Sequence, residues 1–190
     1  MHRLTAYGHS WVEGAGATEP ERCLVTVTAR SLARAPDNRG VGGTLSTHTA
    51  ELASRQQESA STMFLVMTGL NDARLHGSSE VALDRYSSAL DSIFGDLRAT
   101  NPESVIIAVE QPALLDYSLH PPHDRGSTRD VDAYNVRLRR AAANQGGVLL
   151  ATARRWDART MLAQDTVHPN DAGHAEVARA VAEAVAIFHR

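Results

Sequence analysis

Lysine is absent from the 190 residues, so all 19 basic side chains are arginine. That excludes Schiff-base chemistry and any phosphate loop built on a lysine. Cysteine occurs once, at Cys23, which rules out an internal disulfide and a cysteine-based zinc cluster. No stretch approaches the ~18 consecutive apolar residues of a membrane-spanning helix. Positive charge is not in excess, and a net charge of -3 gives nucleic-acid binding no electrostatic support. The start, Met1-His2-Arg3-Leu4, has no apolar h-region behind a basic stretch and runs into a candidate strand. As it stands the chain reads as cytoplasmic, a reading that a secreted chain trimmed of its leader would share.

What is present is an ordinary globular composition, 43% hydrophobic and 22% charged. The length fits one domain, residues 1–190, with enough burial for a rigid core. Leu4 to Tyr7, Thr62 to Met67, Val105 to Val109 and Gly147 to Ala151 read as short strands. The near-continuous apolar run from Thr62 has the pattern of a strand buried on both faces. Asp37-Asn38-Arg39-Gly40 follows a further short strand only weakly marked. Helical periodicity covers Glu80 to Ala99, Val131 to Asn144 (stopped by Gly146-Gly147) and Asp171 to Phe188, with Asn170 or Asp171 as its cap. Strands alternating with helices imply βαβ units and a mainly parallel sheet. The proline-bearing segment Gln111 to Asp130 leaves a strand end, where open α/β sheets bind ligands, and is a candidate wall of the site.

Four short segments after strands carry chemical options. Gly8-His9-Ser10 presents a serine on a turn, as a nucleophile or as a helix cap. Asn38 to Thr44 contains Gly40, Gly42 and Gly43, whose backbone N–H groups a ligand can approach, or forms a plain loop. Its spacing is not that of a dinucleotide-binding glycine loop. Thr68-Gly69-Leu70-Asn71-Asp72 offers the Asn71 amide as a donor, although turns also favour asparagine. In Asp165-Thr166-Val167-His168-Pro169-Asn170 a carboxylate stands three residues before a histidine, positioned to hold Nδ1–H and leave Nε2 as a base. Together they make a complete set for acyl transfer.

At these residues the chain resembles the SGNH (GDSL-type) serine hydrolases over nearly its whole length. The four segments stand in the family's order, and Pro169, Asn170, Gly173 and His174 follow the histidine as the family's residues do. The resemblance implies a three-layer α/β/α sandwich around a flavodoxin-like five-stranded parallel sheet. It implies Ser10 as nucleophile, His168 as base and Asp165 as its orienter. The oxyanion hole would come from the Ser10 and Gly43 N–H groups and the Asn71 side chain. No cofactor or metal is called for, and the partner is a small-molecule ester or related acyl compound. Two departures stand out. His9 occupies the place of the family's usual aspartate, and Trp11 replaces its usual aliphatic residue. Trp11, Leu114 and Tyr117 are candidate substrate contacts, with core packing the other reading for Trp11. His120 and His123 read as exposed loop residues, and His48, His76 and His189 carry no signal. Ester hydrolysis is the first expectation; transfer of the acyl group to an alcohol or amine, and a non-catalytic binding module, are the alternatives. Acyl length and oligomeric state are not written in the sequence.

Overall fold

The computed structural model describes residues 2–55 and 61–188 and contains five strands and the helices between them. The strands are β1 (Arg3–Gly8), β2 (Ala35–Gly40), β3 (Ser61–Met67), β4 (Val105–Val109) and β5 (Val148–Ala151). All pair in parallel, in the order β2-β1-β3-β4-β5. The three inner strands are buried along nearly their whole length, which requires apolar side chains on both faces.

The chain steps from β1 to β2 in one direction and then returns past β1 to β3. Right-handed crossovers therefore place helices on both faces. The helices α2 (Leu24–Ser31) and α8 (Asp171–Phe188) pack together on one face. On the other, α3 (Ser46–Ser54) packs on α5 (Glu80–Thr100), which packs on α6 (Thr128–Gln145). In α5 the buried stripe Leu83, Tyr86, Leu90, Ile93, Phe94 and Leu97 follows helical spacing. Ser79 caps this helix and Ser127 caps α6, each side chain accepting a bond from the backbone N–H three residues on. Short helices α1 (Ser10–Glu13), α4 (Leu70–His76) and α7 (Ala158–Met161) stand near the strand ends. The reversal of strand order at β1 opens a crevice at the carboxyl ends of β1 and β3.

The expected α/β architecture is present; β4 has its expected bounds, and β1, β3 and β5 differ from expectation by one residue at one end or both. Asp37 to Gly40, expected to follow a strand, are the strand β2 itself. It is an edge, half of its residues are exposed, and no apolar pattern announces it. The helices α2 and α3 were not marked by periodicity; α3 buries only Ser46, Thr49 and Ala53. His189 lies outside the described residues.

Gly8 ends β1, with φ +154°, opposite both Gly40 and Met67. A Cβ there would stand 2.0 Å from the Met67 carbonyl oxygen and 2.7 Å from Val12 Cγ2. The turn that carries Ser10 can leave the sheet here only because that space is empty. Gly8→Ala should lower stability by at least about 2 kcal/mol through backbone displacement and strain. Urea denaturation measures it, and an unchanged midpoint would mean that the ends of β1 and β3 do not meet this closely.

Candidate active site

Ser10 is the first residue of α1, where the backbone N–H groups have no carbonyl of their own helix. His9 caps that turn. Its Nδ1 accepts from the Trp11 N–H at 3.4 Å, and its Nε2 lies 3.0 Å from Gln111 Oε1. The two bonds fix the tautomer, with the proton on Nε2. Gln111 is held in turn by reciprocal bonds between its backbone and the Asn135 side chain. The His9 ring is completely buried, and burial pulls its pKa down to about 3 against the raising effect of Gln111. It is therefore a neutral brace that no substrate reaches.

His168 Nε2 lies 3.0 Å from Ser10 Oγ, and His168 Nδ1 lies 2.6 Å from Asp165 Oδ2. Asp165 Oδ1 accepts the Val167 and His168 N–H groups at 3.0 and 2.9 Å. Partial burial pushes the Asp165 carboxyl up, but the bonds it accepts outweigh that, and its pKa falls below the usual carboxylate value. An ionised Asp165 holding Nδ1–H leaves Nε2 free to take a proton from Ser10. The segment is bent tightly, with Thr166 at φ +61° and the His168 carbonyl accepting the Ala163 N–H at 2.8 Å. Such strain, held by surrounding bonds, is a mark of functional loops.

Two further strand ends supply donors. Gly43, at φ +73°, has open space where a side chain would stand. Asn71 gives one amide hydrogen to the Thr44 carbonyl at 2.9 Å, which fixes the Gly43 loop and leaves the second for a ligand. Asp72 accepts bonds from the Ser46 N–H and hydroxyl at 2.9 and 2.6 Å, tying α4 to the start of α3. Ser10, Gly43, Asn71 and His168 line one cleft of about 340 Å³.

The structure moves several other residues from their expected places. Trp11 is fully buried, stacks on Trp156 at 5.2 Å, and donates its indole N–H to the Val167 carbonyl at 2.9 Å. It braces the site and cannot touch substrate. Leu114 and Tyr117 bond to each other through the Leu114 N–H and the Tyr117 hydroxyl, and neither is among the cleft-lining residues. Arg74, Glu13, His120 and His123 do line it. The sequence carries no signal for Arg74 or Glu13; His120 and His123 belong to the segment expected as a wall of the site, but read there as exposed loop residues, and they come to the cleft through the path of the chain after β4. A hollow of about 360 Å³ shares Glu13 with the cleft and holds none of the triad. Among the described residues no group of three or more His, Cys, Asp or Glu could hold a metal ion, and no helix is long and apolar enough to cross a membrane.

The His9 pKa sets an acid sensitivity whose sign follows from linkage. Between pH about 6.5 and about 3 the unfolded chain binds a proton here that the folded chain does not, so stability falls as pH falls. His9→Gln cannot charge and should flatten that fall by up to about 2 kcal/mol between pH 7 and 5. Urea midpoints of both proteins at the two pH values test it, and equal losses would show that His9 titrates freely in the fold.

Among solved structures, a family 3 carbohydrate esterase from Clostridium thermocellum superposes with a TM-score of 0.74 at 16% identity, covering 99% of this chain and 97% of that one. A family 3 carbohydrate esterase from Talaromyces cellulolyticus gives 0.70 at 19% identity, with 99% and 98% covered. A protein from Lactobacillus plantarum gives 0.77 at 19% identity, with 100% and 98% covered. At these identities the likeness is one of fold. No curated protein sequence matches significantly. The model of the GDSL-like lipase/acylhydrolase family matches residues 6–176, from within β1 into α8 and across all four motif segments, and the chain belongs to that family.

Proposed function

We propose that this chain is a serine esterase that cleaves carboxylic esters through an acyl-enzyme on Ser10. The observation that carries the proposal is the unbroken chain of hydrogen bonds from Asp165 through His168 to Ser10, opening into a cleft that also holds Gly43 and Asn71. In this reading Ser10 Oγ attacks the ester carbonyl while His168 Nε2 takes its proton. The oxyanion so formed takes hydrogen bonds from the Ser10 and Gly43 N–H groups and the Asn71 amide. Collapse expels the alcohol, protonated by His168, and a water activated by the same nitrogen releases the acid. The cleft's volume of about 340 Å³ favours a small or exposed acyl group over a long buried chain.

Ser10→Ala should abolish turnover of 4-nitrophenyl acetate while the thermal midpoint stays within a few degrees. A fluorophosphonate probe should label the parent at Ser10 and leave the variant unlabelled. Retention of more than a few per cent of activity by Ser10→Ala would assign the nucleophile elsewhere. Asn71→Ala should reduce kcat about 10²–10³-fold with a smaller change in KM, because its donor matters most when charge builds on the oxygen. A loss confined to KM would make Asn71 a substrate contact instead.

A further inference from the structure

Arg74 lines the cleft but takes no part in the steps above. It is 3% exposed, and among the described residues its one side-chain hydrogen bond runs from Nη2 to the Leu119 carbonyl at 2.6 Å. Its Nε is buried with no partner. Among the described residues no carboxylate comes within the 4.0 Å of an ion pair with it. Asp116, Asp124 and Asp165 act on it only from longer range, and burial draws its pKa down in spite of them. A cation this deeply buried is ordinarily paired, because removing it from water is costly. Here the aspartates stand off, and among the described residues no carboxylate pairs with the guanidinium directly.

The position of the vacancy gives it meaning. Arg74 lies three residues beyond Asn71 in α4, so both face the same side of the helix. Its neighbours on the cleft wall are His120 and His123, which carry no negative charge. The single carboxylate lining the cleft, Glu13, stands against Gly42, where its Oε2 lies 2.7 Å from the site of a Cβ. The cleft therefore has an acidic wall at Glu13 and a cationic wall at Arg74. A guanidinium with free N–H groups suits a planar or tetrahedral oxyanion better than any neutral group.

We propose that Arg74 is a specificity residue binding a carboxylate or phosphate carried by the ester substrate. The proposal rests on the esterase reading for the reaction, though not for the binding. It is tested on 4-nitrophenyl butyrate, which is neutral, on mono-4-nitrophenyl glutarate, which carries its charge in the acyl part, and on 4-butyryloxybenzoate, which carries it in the leaving group. The parent should prefer one anionic ester to its neutral counterpart, which also says on which side of the scissile bond the anion lies. In Arg74→Gln the ratio of anionic to neutral kcat/KM should fall about 10- to 100-fold, whatever loss the substrates share. Arg74→Lys, which keeps the charge without the fork and also serves if Arg74→Gln folds poorly, should restore part of the ratio. An unchanged ratio would overturn the proposal and leave Arg74 as a clamp on the Leu119 loop or a general support of the oxyanion. Binding is read separately in Ser10→Ala, whose thermal midpoint should rise with glutarate, benzoate or inorganic phosphate. The same anions should leave Ser10→Ala/Arg74→Gln unmoved. Equal shifts in the two proteins, or no shift in either, would overturn the proposal even if the parent cleaved no ester.

Discussion

The bond from the Trp11 indole to the Val167 carbonyl joins two parts of the chain 156 residues apart, and the distance between nucleophile and base depends on it. The turn after β1 carries Ser10, and the bent loop after α7 carries Asp165 and His168. Other contacts lock the same two segments. A Cβ on Gly16 would stand 2.2 Å from the Pro169 carbonyl oxygen, so the backbones touch there. Thr18 and Arg22 both bond the Asp171 carboxylate, and the buried His174 ring lies between the Leu24 N–H and the Ala15 carbonyl. Catalysis by proximity tolerates little error, since a displacement of about 1 Å can lose a hundredfold in rate. Much of the packing between the two ends of the chain serves that tolerance.

His9 stands at the one departure from the family pattern that adjoins Ser10 on its N-terminal side. A neutral imidazole caps the nucleophile turn where the family's aspartate usually stands, and Gln111 holds it from the start of the loop after β4. The brace adds no charge beside His168, so Asp165 is the carboxylate bonded to the base. Polar groups of this kind, buried and fully bonded, fix one geometry at the cost of little flexibility.

The pairing of Asp165 with His168 could be read in the sequence because it is local, the two lying within one turn of chain. The Ser10 and Asn71 motifs follow strands whose apolar pattern is strong. What could not be read depends on distant partners or on the absence of a pattern. The edge strand β2 is polar and half exposed, and periodicity has nothing to detect there. The partner of His9 is 102 residues away. Trp11 looked available to substrate until Trp156 covered it. Nothing in the sequence marks Arg74, and only the fold turns it into a buried cation. Leu114 and Tyr117 were placed in the pocket because their loop leaves a strand end, but the loop presents its histidines to the cleft instead.

The pairing of the first turn with the last loop also sets an order on the making of the molecule. A ribosome delivers Ser10 early, and the growing chain can assemble β1, β2 and β3 while the base is still unmade. His168 reaches Ser10 only after nearly every other element has emerged. The contacts that hold it are among the longest in sequence, and such contacts close late because so much loop must be ordered first. A chain not yet extended to His168 thus carries Ser10 with no imidazole beside it. On the proposed mechanism such a chain cannot cleave an ester.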